Sequence, residues 1–291
     1  MLRAPEELVL TCSAMIKPSQ PIEMEKCFNG ILKWMASLGS VPTRANLKAP
    51  GFGSKLMSFE AVKKKIPNID WDKCTEFTLS CLRDGEWPLV EYELYGDCID
   101  RTIITLSGQM AALKSPNYWV SILRQVIPVS AICYAYSIES PRSFGPVLDA
   151  GGICYEDRDS AVGQSMDEEI YLSHLPMHWG TVGISAAREK SESILYCLRS
   201  VYSWQLITSR QLGLRIGRYS SLKSWIENDR KRGQLTLIEN ELWEWTIPFS
   251  RIESVRFALF EAGLLWAWWP IDANEPDESR PLPAPFAMGL I

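Results

Sequence analysis

The feature that most constrains this chain is an alternation of apolar and polar residues in two neighbouring segments. In residues 75–82 and again in residues 89–95, apolar side chains occupy every second position. Successive side chains of a strand point to opposite faces, so each segment predicts a strand with one buried face. Asp84 and Gly85 predict the turn between them, and residues 101–107 predict a third strand. Together the three segments predict an antiparallel meander.

Helical spacing dominates elsewhere in the first half. Residues 21–38 carry apolar side chains three and four positions apart and are followed by Gly39, which predicts a helix lying on a core. Ser58 predicts the cap of a short helix that ends before Pro67. Ser115 and Pro116 predict the start of another helix, and a buried strand is expected after it. The stretch between the first two helices, residues 40–54, is predicted to be a loop.

The second half is predicted to contain three helices and a hairpin. Each prediction rests on a cap or a turn signal rather than on apolar spacing alone. The expected elements are a helix after Ser191 that reaches Tyr202, a helix over residues 222–231 capped by Ser221, a hairpin of residues 234–238 and 241–247, and a last helix opened by a capping box of Ser250 and Glu253.

These elements interleave without a strict strand-helix-strand order, which predicts an α+β fold with antiparallel sheets and packed helices. We expect residues 1–270 to form a single domain, with a divide possible only within residues 139–164. Residues 271–291 are rich in proline and acidic residues and are expected to form an extended tail.

Composition restricts the class of partner that this protein can bind and the compartment in which it is expected. The net charge of −5 argues against nucleic acid as the main partner, because phosphate binding needs a clustered basic face, and it suits a basic protein. The N-terminus lacks the apolar region of a signal peptide, and no apolar run is long enough to cross a membrane. The 8 cysteines include no C-x-x-C pair. We therefore expect a cytoplasmic protein with reduced thiols.

The only two histidines, His174 and His178, are four residues apart. On a helix this spacing would place them on one face, as in many zinc sites. Pro176 lies between them and would break the helix, and Leu175 replaces the general base of a metalloprotease motif. We therefore predict a strand-turn-strand here, with no metal and no cofactor. A metal-dependent hydrolase using His174, His178 and nearby Asp157 or Asp159 remains the alternative.

An acidic loop precedes the histidines. Its carboxylates lack the ligand spacing of an EF-hand loop, so the simplest expectation is a solvated surface. Complementary charge speeds encounter between proteins and fixes their register, so the loop is also a candidate site for a basic partner. The predicted partner-binding residues are Asp157, Asp159, Asp167, Glu168 and Glu169.

Two further groups of residues could serve binding. Trp243 and Trp245 are expected to share a strand face, while residues 266–269 hold three tryptophans that cannot all point inward. An exposed part of that cluster would suit an interface. The basic runs at residues 63–65 and 230–232 are expected to close helices, where cations complement the helix dipole.

The chain contains no Gly-x-Ser-x-Gly motif, and neither histidine has a recognisable nucleophile signature, so we expect no enzyme. Its overall layout resembles the immunity protein 52 family of bacterial polymorphic-toxin and type VI secretion systems. The resemblance covers most of the chain. It is carried by the order of elements and by the strings Ser115-Pro116-Asn117-Tyr118-Trp119 and Leu175-Pro176-Met177-His178-Trp179-Gly180.

This resemblance implies a protein that binds and neutralises a cognate secreted toxin, by analogy a nuclease of restriction-endonuclease type. It implies inhibition by stoichiometric binding and fits the expected cytoplasmic location. An adaptor or chaperone that loads an effector would use the same kind of binding and differ only in its partner. The oligomeric state is left open by the sequence.

Overall fold

A computed structural model describes residues 8–17, 19–20, 22–52, 55–82, 92–99, 103–109, 118–141, 198 and 200–265. Contacts divide the chain into two compact units, and each is described by itself. The first comprises residues 1–131 and 138–151, and the second comprises residues 132–137 and 152–291. The prediction of a single domain through residue 270 stays a prediction.

The first unit is built on six antiparallel strands in the order β3-β2-β4-β5-β6-β1. The neighbouring strands β4, β5 and β6 form the predicted meander. The strands are β1 (Leu8–Ile16), β2 (Arg44–Lys48), β3 (Met57–Ser58), β4 (Glu76–Leu82), β5 (Tyr92–Ile99) and β6 (Ile103–Gln109). Within β4, Phe77, Leu79 and Cys81 are buried, as their alternation predicted.

Helix α1 (Met24–Ser37) lies on the buried face of this meander. The Phe28 ring meets the Phe77 ring edge-on at 5.2 Å between centroids, and Ile31 fills the space above Gly96. The helix ends where predicted, because Gly39 adopts a φ of 75° that favours glycine. Trp34, which the apolar spacing did not single out, is fully buried.

Two further α-helices lie in the part of the first unit that the structure describes. Helix α2 (Phe59–Lys63) is shorter than predicted, and a 3-10 turn at Ile66–Asn68 takes up Pro67. Helix α3 (Tyr118–Val126) buries Trp119, Ile122, Leu123 and Val126. The predicted helix start at Ser115 and Pro116 lies outside the described residues. The prediction of a loop over residues 40–54 is wrong, because β2 lies within it and pairs with β4 along five residues, Arg44 to Lys48.

The second unit contains four antiparallel strands in the order β7-β8-β10-β9. They are β7 (Ile132–Pro141, of which residues 132–137 belong to this unit), β8 (Trp204–Thr208), β9 (Gln234–Glu239) and β10 (Leu242–Thr246). The predicted hairpin of β9 and β10 is confirmed. Its turn includes Asn240 at a φ of 48°, a conformation that asparagine tolerates better than most residues.

The described residues of the second unit form three α-helices: α4 (Ser209–Leu212), α5 (Leu222–Glu227) and α6 (Ile252–Glu261). The Ser221 cap of α5 is confirmed, since its hydroxyl accepts a hydrogen bond from the Ser224 amide. The predicted capping box of α6 is wrong. Arg251 holds the N-cap position without a side-chain bond, because a 3-10 turn at Phe249–Arg251 precedes the helix. The buried face of α6, including Val255 and Leu259, is as predicted.

The helix predicted to run from Ser191 to Tyr202 is not helical where the structure describes it. Leu198 forms a parallel bridge with Leu265, and Val201 and Tyr202 lead irregularly into β8. Strand β8 is buried at all five positions and was not predicted. The α+β class with antiparallel strands and packed helices is confirmed. Among the described residues, no helix has the length and apolar character needed to cross a membrane.

Candidate functional site

The residues predicted to carry binding or metal chemistry lie outside the described residues. This applies to the acidic docking set and to the histidine pair, and therefore to both the partner-binding prediction and its hydrolase alternative. The residues concerned are Asp157, Asp159, Asp167, Glu168, Glu169, His174 and His178. The tryptophans at residues 266–269 lie outside the described residues as well.

The described part of the chain contains no cluster of three or more histidine, cysteine or carboxylate groups able to hold a metal ion. Six cysteines in it are free thiols and all are buried. Burial raises the pKa of the Cys12 thiol far above its ordinary value, because a thiolate would be poorly solvated there. These thiols therefore serve as small apolar core residues.

In the second unit, the half-buried Arg232 stacks on two aromatic rings. Its guanidinium carbon is 4.3 Å from the centre of the Trp225 ring and 5.3 Å from that of Tyr219. Its Nη1 donates a hydrogen bond of 2.6 Å to the Trp225 carbonyl. Stacking and hydrogen bonding hold the Arg232 guanidinium in one place, directly before β9.

Tyr219 is the half-buried ring of this stack, whereas Trp225 is buried. Hydrogen bonds from Arg232 and then Arg218, which favour the phenolate, lower the pKa of Tyr219 below its ordinary value. Asn228 Nδ2 donates a further hydrogen bond of 3.1 Å to the Tyr219 hydroxyl. No spacing in the sequence indicated this arrangement, because Tyr219 and Arg232 come together only when α5 folds between them.

The basic run at residues 230–232 does not close a helix, contrary to the prediction. Helix α5 ends at Glu227, and Arg230–Arg232 forms a separate 3-10 turn. The Asp229 carboxylate caps this turn by accepting a hydrogen bond of 2.9 Å from the Lys231 amide. The turn leaves Arg230 and Lys231 exposed immediately before β9. The other basic run fits its prediction better, since Lys63 lies in the last turn of α2.

Trp243 and Trp245 share a face of β10, as predicted, and opposite them on β9 are Leu237 and Leu235. Trp245 is fully buried and its Nε1 donates a hydrogen bond of 2.9 Å to the Arg232 carbonyl. Trp243 is only half-buried, and Lys223 Nζ lies 4.2 Å from the centre of its ring. This face grades from buried at Trp245 to open at Leu237, which is 51% exposed.

Strand β9 is the last strand in the sheet order of the second unit, and among the described residues only β10 pairs with it. On its other side, no described strand pairs with its main-chain donors and acceptors. We define the β9 edge surface as β9 together with Arg230, Lys231 and Glu241. An open cleft of about 760 Å³ lies at the start of the strand, lined by Arg230, Gly233, Gln234, Thr246, Ile247 and Pro248.

The geometry of the β9 edge surface suits the binding of another protein segment. An unpaired strand edge offers main-chain hydrogen bonds, and neighbouring apolar side chains add buried area.

Comparison with known proteins finds a similar fold but no similar sequence family. No protein-family model matches the sequence, and no curated protein matches it. A solved structure of the Pseudomonas aeruginosa T6SS protein PA0821 is similar, with a TM-score of 0.52 and 11% sequence identity. The similarity covers 97% of this chain and 82% of that chain. At this identity the likeness shows a shared fold.

Proposed function

We propose that this protein acts in type VI secretion as an immunity protein, which binds a cognate toxin and neutralises it by stoichiometric binding. The observation that supports this most strongly is the fold shared with a T6SS protein across 97% of the chain. The order of elements in the sequence also resembles the immunity protein 52 family, and we include membership of that family in the proposal.

The toxin that we propose is a nuclease acting in the cytoplasm, where the inhibitor must also be present. A nuclease active site receives a polyanion and is therefore lined by cations. The acidic loop, with Asp157, Asp159, Asp167, Glu168 and Glu169, would present carboxylates to such a site. Complementary charge of this kind raises the association rate, which favours an inhibitor that must act before the toxin reaches DNA.

The proposal predicts that a toxin domain is encoded beside the gene of this protein, and that domain is used for the test. The toxin is expressed in a bacterial host with and without this protein, and survival is counted. The two proteins are then purified together, and DNA cleavage is measured as the molar ratio of inhibitor is increased. We expect restored growth, a stable complex and complete inhibition at an equimolar ratio.

Two results would contradict the proposal in different ways. A stable complex in which the toxin keeps its full activity would point to the adaptor or chaperone that binds without inhibiting. The absence of any complex, with no protection of the host, would remove the toxin as the partner. A matched control is a neighbouring, non-cognate toxin of the same class, against which no protection is expected.

A further inference from the structure

The charges of the β9 edge surface have a polarity along the strand. Two exposed cations, Arg230 and Lys231, precede β9, and two carboxylates, Glu239 and Glu241, lie at its end and in the turn that follows it. All four side chains are exposed. No ion pair joins them to another side chain in the described ranges. The edge is thus positive at one end and negative at the other, with the six uncharged residues 233–238 between them.

The strand itself lacks most of the features that protect an edge from pairing. Lysine, proline and inward-pointing charges are the usual devices, and residues 234–238 contain none of them. The one device present is a bulge, where the register with β10 shifts between Leu242 and Trp243. The pairing of Gln234–Leu237 with β10 is regular, so this part of the edge remains straight enough to accept another strand.

We propose that the β9 edge surface is a self-association site, at which β9 of a second copy of this chain pairs antiparallel with β9 across a twofold axis. In such an interface the same patch contacts itself, so its two ends must be complementary to each other. Antiparallel pairing brings the cationic end of each strand next to the acidic end of the other, and the twofold axis repeats this contact.

A register centred on Thr236 fits the side chains as well as the charges. It sets Thr236 opposite Thr236 of the second copy, and Leu237 opposite Leu235 of the second copy. Leu235 and Leu237 lie on one face of the sheet, since they pair with Trp245 and Trp243 of β10. The pairing therefore covers Leu237, which is 51% exposed in the single chain. Cross-strand Thr–Thr and aliphatic pairs of this kind stabilise sheets.

A second copy fits this edge better than a uniformly acidic or basic partner does. An acidic segment would be attracted by Arg230 and Lys231 but repelled by Glu239 and Glu241. A basic segment would be attracted by the two carboxylates and repelled by the two cations. The terminal strand β3 of the first unit is only two residues long and offers no comparable length for pairing. This inference concerns the protein alone and does not depend on the identity of the toxin.

The test measures the mass of the purified full chain by sedimentation over a concentration series. We expect reversible association from the 33.0 kDa monomer to a dimer of twice that mass. Two charge-reversal variants, Arg230→Glu/Lys231→Glu and Glu239→Lys/Glu241→Lys, make both ends of the edge alike in sign. Each variant is expected to raise the dissociation constant of the dimer about tenfold or more, because four attractive contacts per dimer become repulsive.

Mixing these two variants is the decisive experiment. One variant carries two acidic ends and the other two basic ends. We therefore expect the mixture to form a heterodimer, although neither variant associates with itself. Combining all four substitutions in one chain should restore self-association. The matched control, Lys55→Glu/Lys64→Glu, changes the net charge by the same amount as the first variant at exposed positions of the first unit and should leave the dimer unchanged.

A wild-type chain that stays monomeric at the highest concentration would overturn the proposal. So would variants that associate as strongly as the wild type, or a mixture that forms no heterodimer although both variants are folded. Circular dichroism and the melting temperature establish folding. If a reversal unfolds the chain, Thr236→Lys provides a second variant, because it sets two like charges opposite each other at the axis on an exposed position.

Discussion

Trp34 Nε1 donates a hydrogen bond of 2.7 Å to the Tyr118 hydroxyl, joining α1 to the first residue of α3. The two residues are 84 positions apart, and the Trp34 side chain is fully buried. Buried indole groups need an acceptor, so this bond fixes where α3 begins to pack on α1.

Replacing Tyr118 with phenylalanine should destabilise the protein by about 1–3 kcal/mol, because the buried Trp34 N–H loses its acceptor. Chemical denaturation of the wild type and of Tyr118→Phe measures the difference. The double variant Trp34→Phe/Tyr118→Phe serves as the control for the pair. A cycle in which the two single changes simply add would show that the bond contributes nothing beyond packing.

The same tyrosine predicts a dependence on pH. Burial raises the pKa of Tyr118 above its ordinary value, because the phenolate would be poorly solvated. The unfolded chain therefore loses this proton first, and stability falls as pH rises from the ordinary tyrosine pKa, near 10.0, toward the folded value. Below that range the contribution is fully present. We expect the alkaline loss of stability to be smaller in Tyr118→Phe, and an identical slope would contradict this assignment.

Gly30 permits the close approach of α1 and α3. A β-carbon there would lie 2.7 Å from the Gln125 carbonyl oxygen and 2.8 Å from the Val126 α-carbon, both main-chain atoms. Gly30→Ala should therefore push the helices apart and lower the free energy of unfolding by about 1–3 kcal/mol, despite the better helix propensity of alanine. Lys33→Ala, at an exposed position of the same helix, is the matched control and should change stability little. Equal stability of the two variants would show that α3 can shift at no cost.

Glu244 is a buried carboxylate of β10, and its Oε1 accepts a hydrogen bond of 2.7 Å from Trp204 Nε1 on β8. Trp204→Phe would remove the donor and leave the carboxylate buried without it. We expect a loss of about 2–4 kcal/mol in the free energy of unfolding, combining lost packing with the unpaired acceptor. Adding Glu244→Gln removes the buried charge and should recover part of that loss. Thermal denaturation compares the three proteins, and a further loss in the double variant would contradict this account.

The proposed toxin contact is tested on the acidic loop. Reversing Asp167, Glu168 and Glu169 to lysine should slow association with a basic toxin and weaken protection, most clearly at low salt. Association rates measured over a range of ionic strength provide the comparison, and the variant must keep the wild-type melting temperature. A folded variant with an unchanged rate and salt dependence would leave the loop as a solvated surface.

The histidine pair is tested by metal content. Pro176 interrupts the spacing of His174 and His178, so we expect no stoichiometric zinc in protein purified without chelator. Elemental analysis of the purified chain measures this. About one zinc per chain, lost in His174→Ala, would instead support the hydrolase alternative.

The sequence by itself determined the elements whose signals are local. The alternation in residues 75–82 specified β4 and its buried face, because a period of two is set by strand geometry alone. The spacing from Met24 to Met35 specified α1, and Asn240 marked the turn between β9 and β10. Each signal lies within a few residues of the structure that it predicts. The acidic loop and the histidine pair stay predictions, since they lie outside the described residues.

Only the tertiary structure decided the features that depend on distant partners. Strand β2 lies in a stretch rich in turn residues, and its pairing with β4 rather than local propensity makes it a strand. The capping box at Ser250 failed because the chain enters α6 through a 3-10 turn. The stacking of Arg232 on Tyr219 and the open edge of β9 likewise follow from which segments meet in space. Such contacts depend on packing over long sequence separation, which no local pattern of residues records.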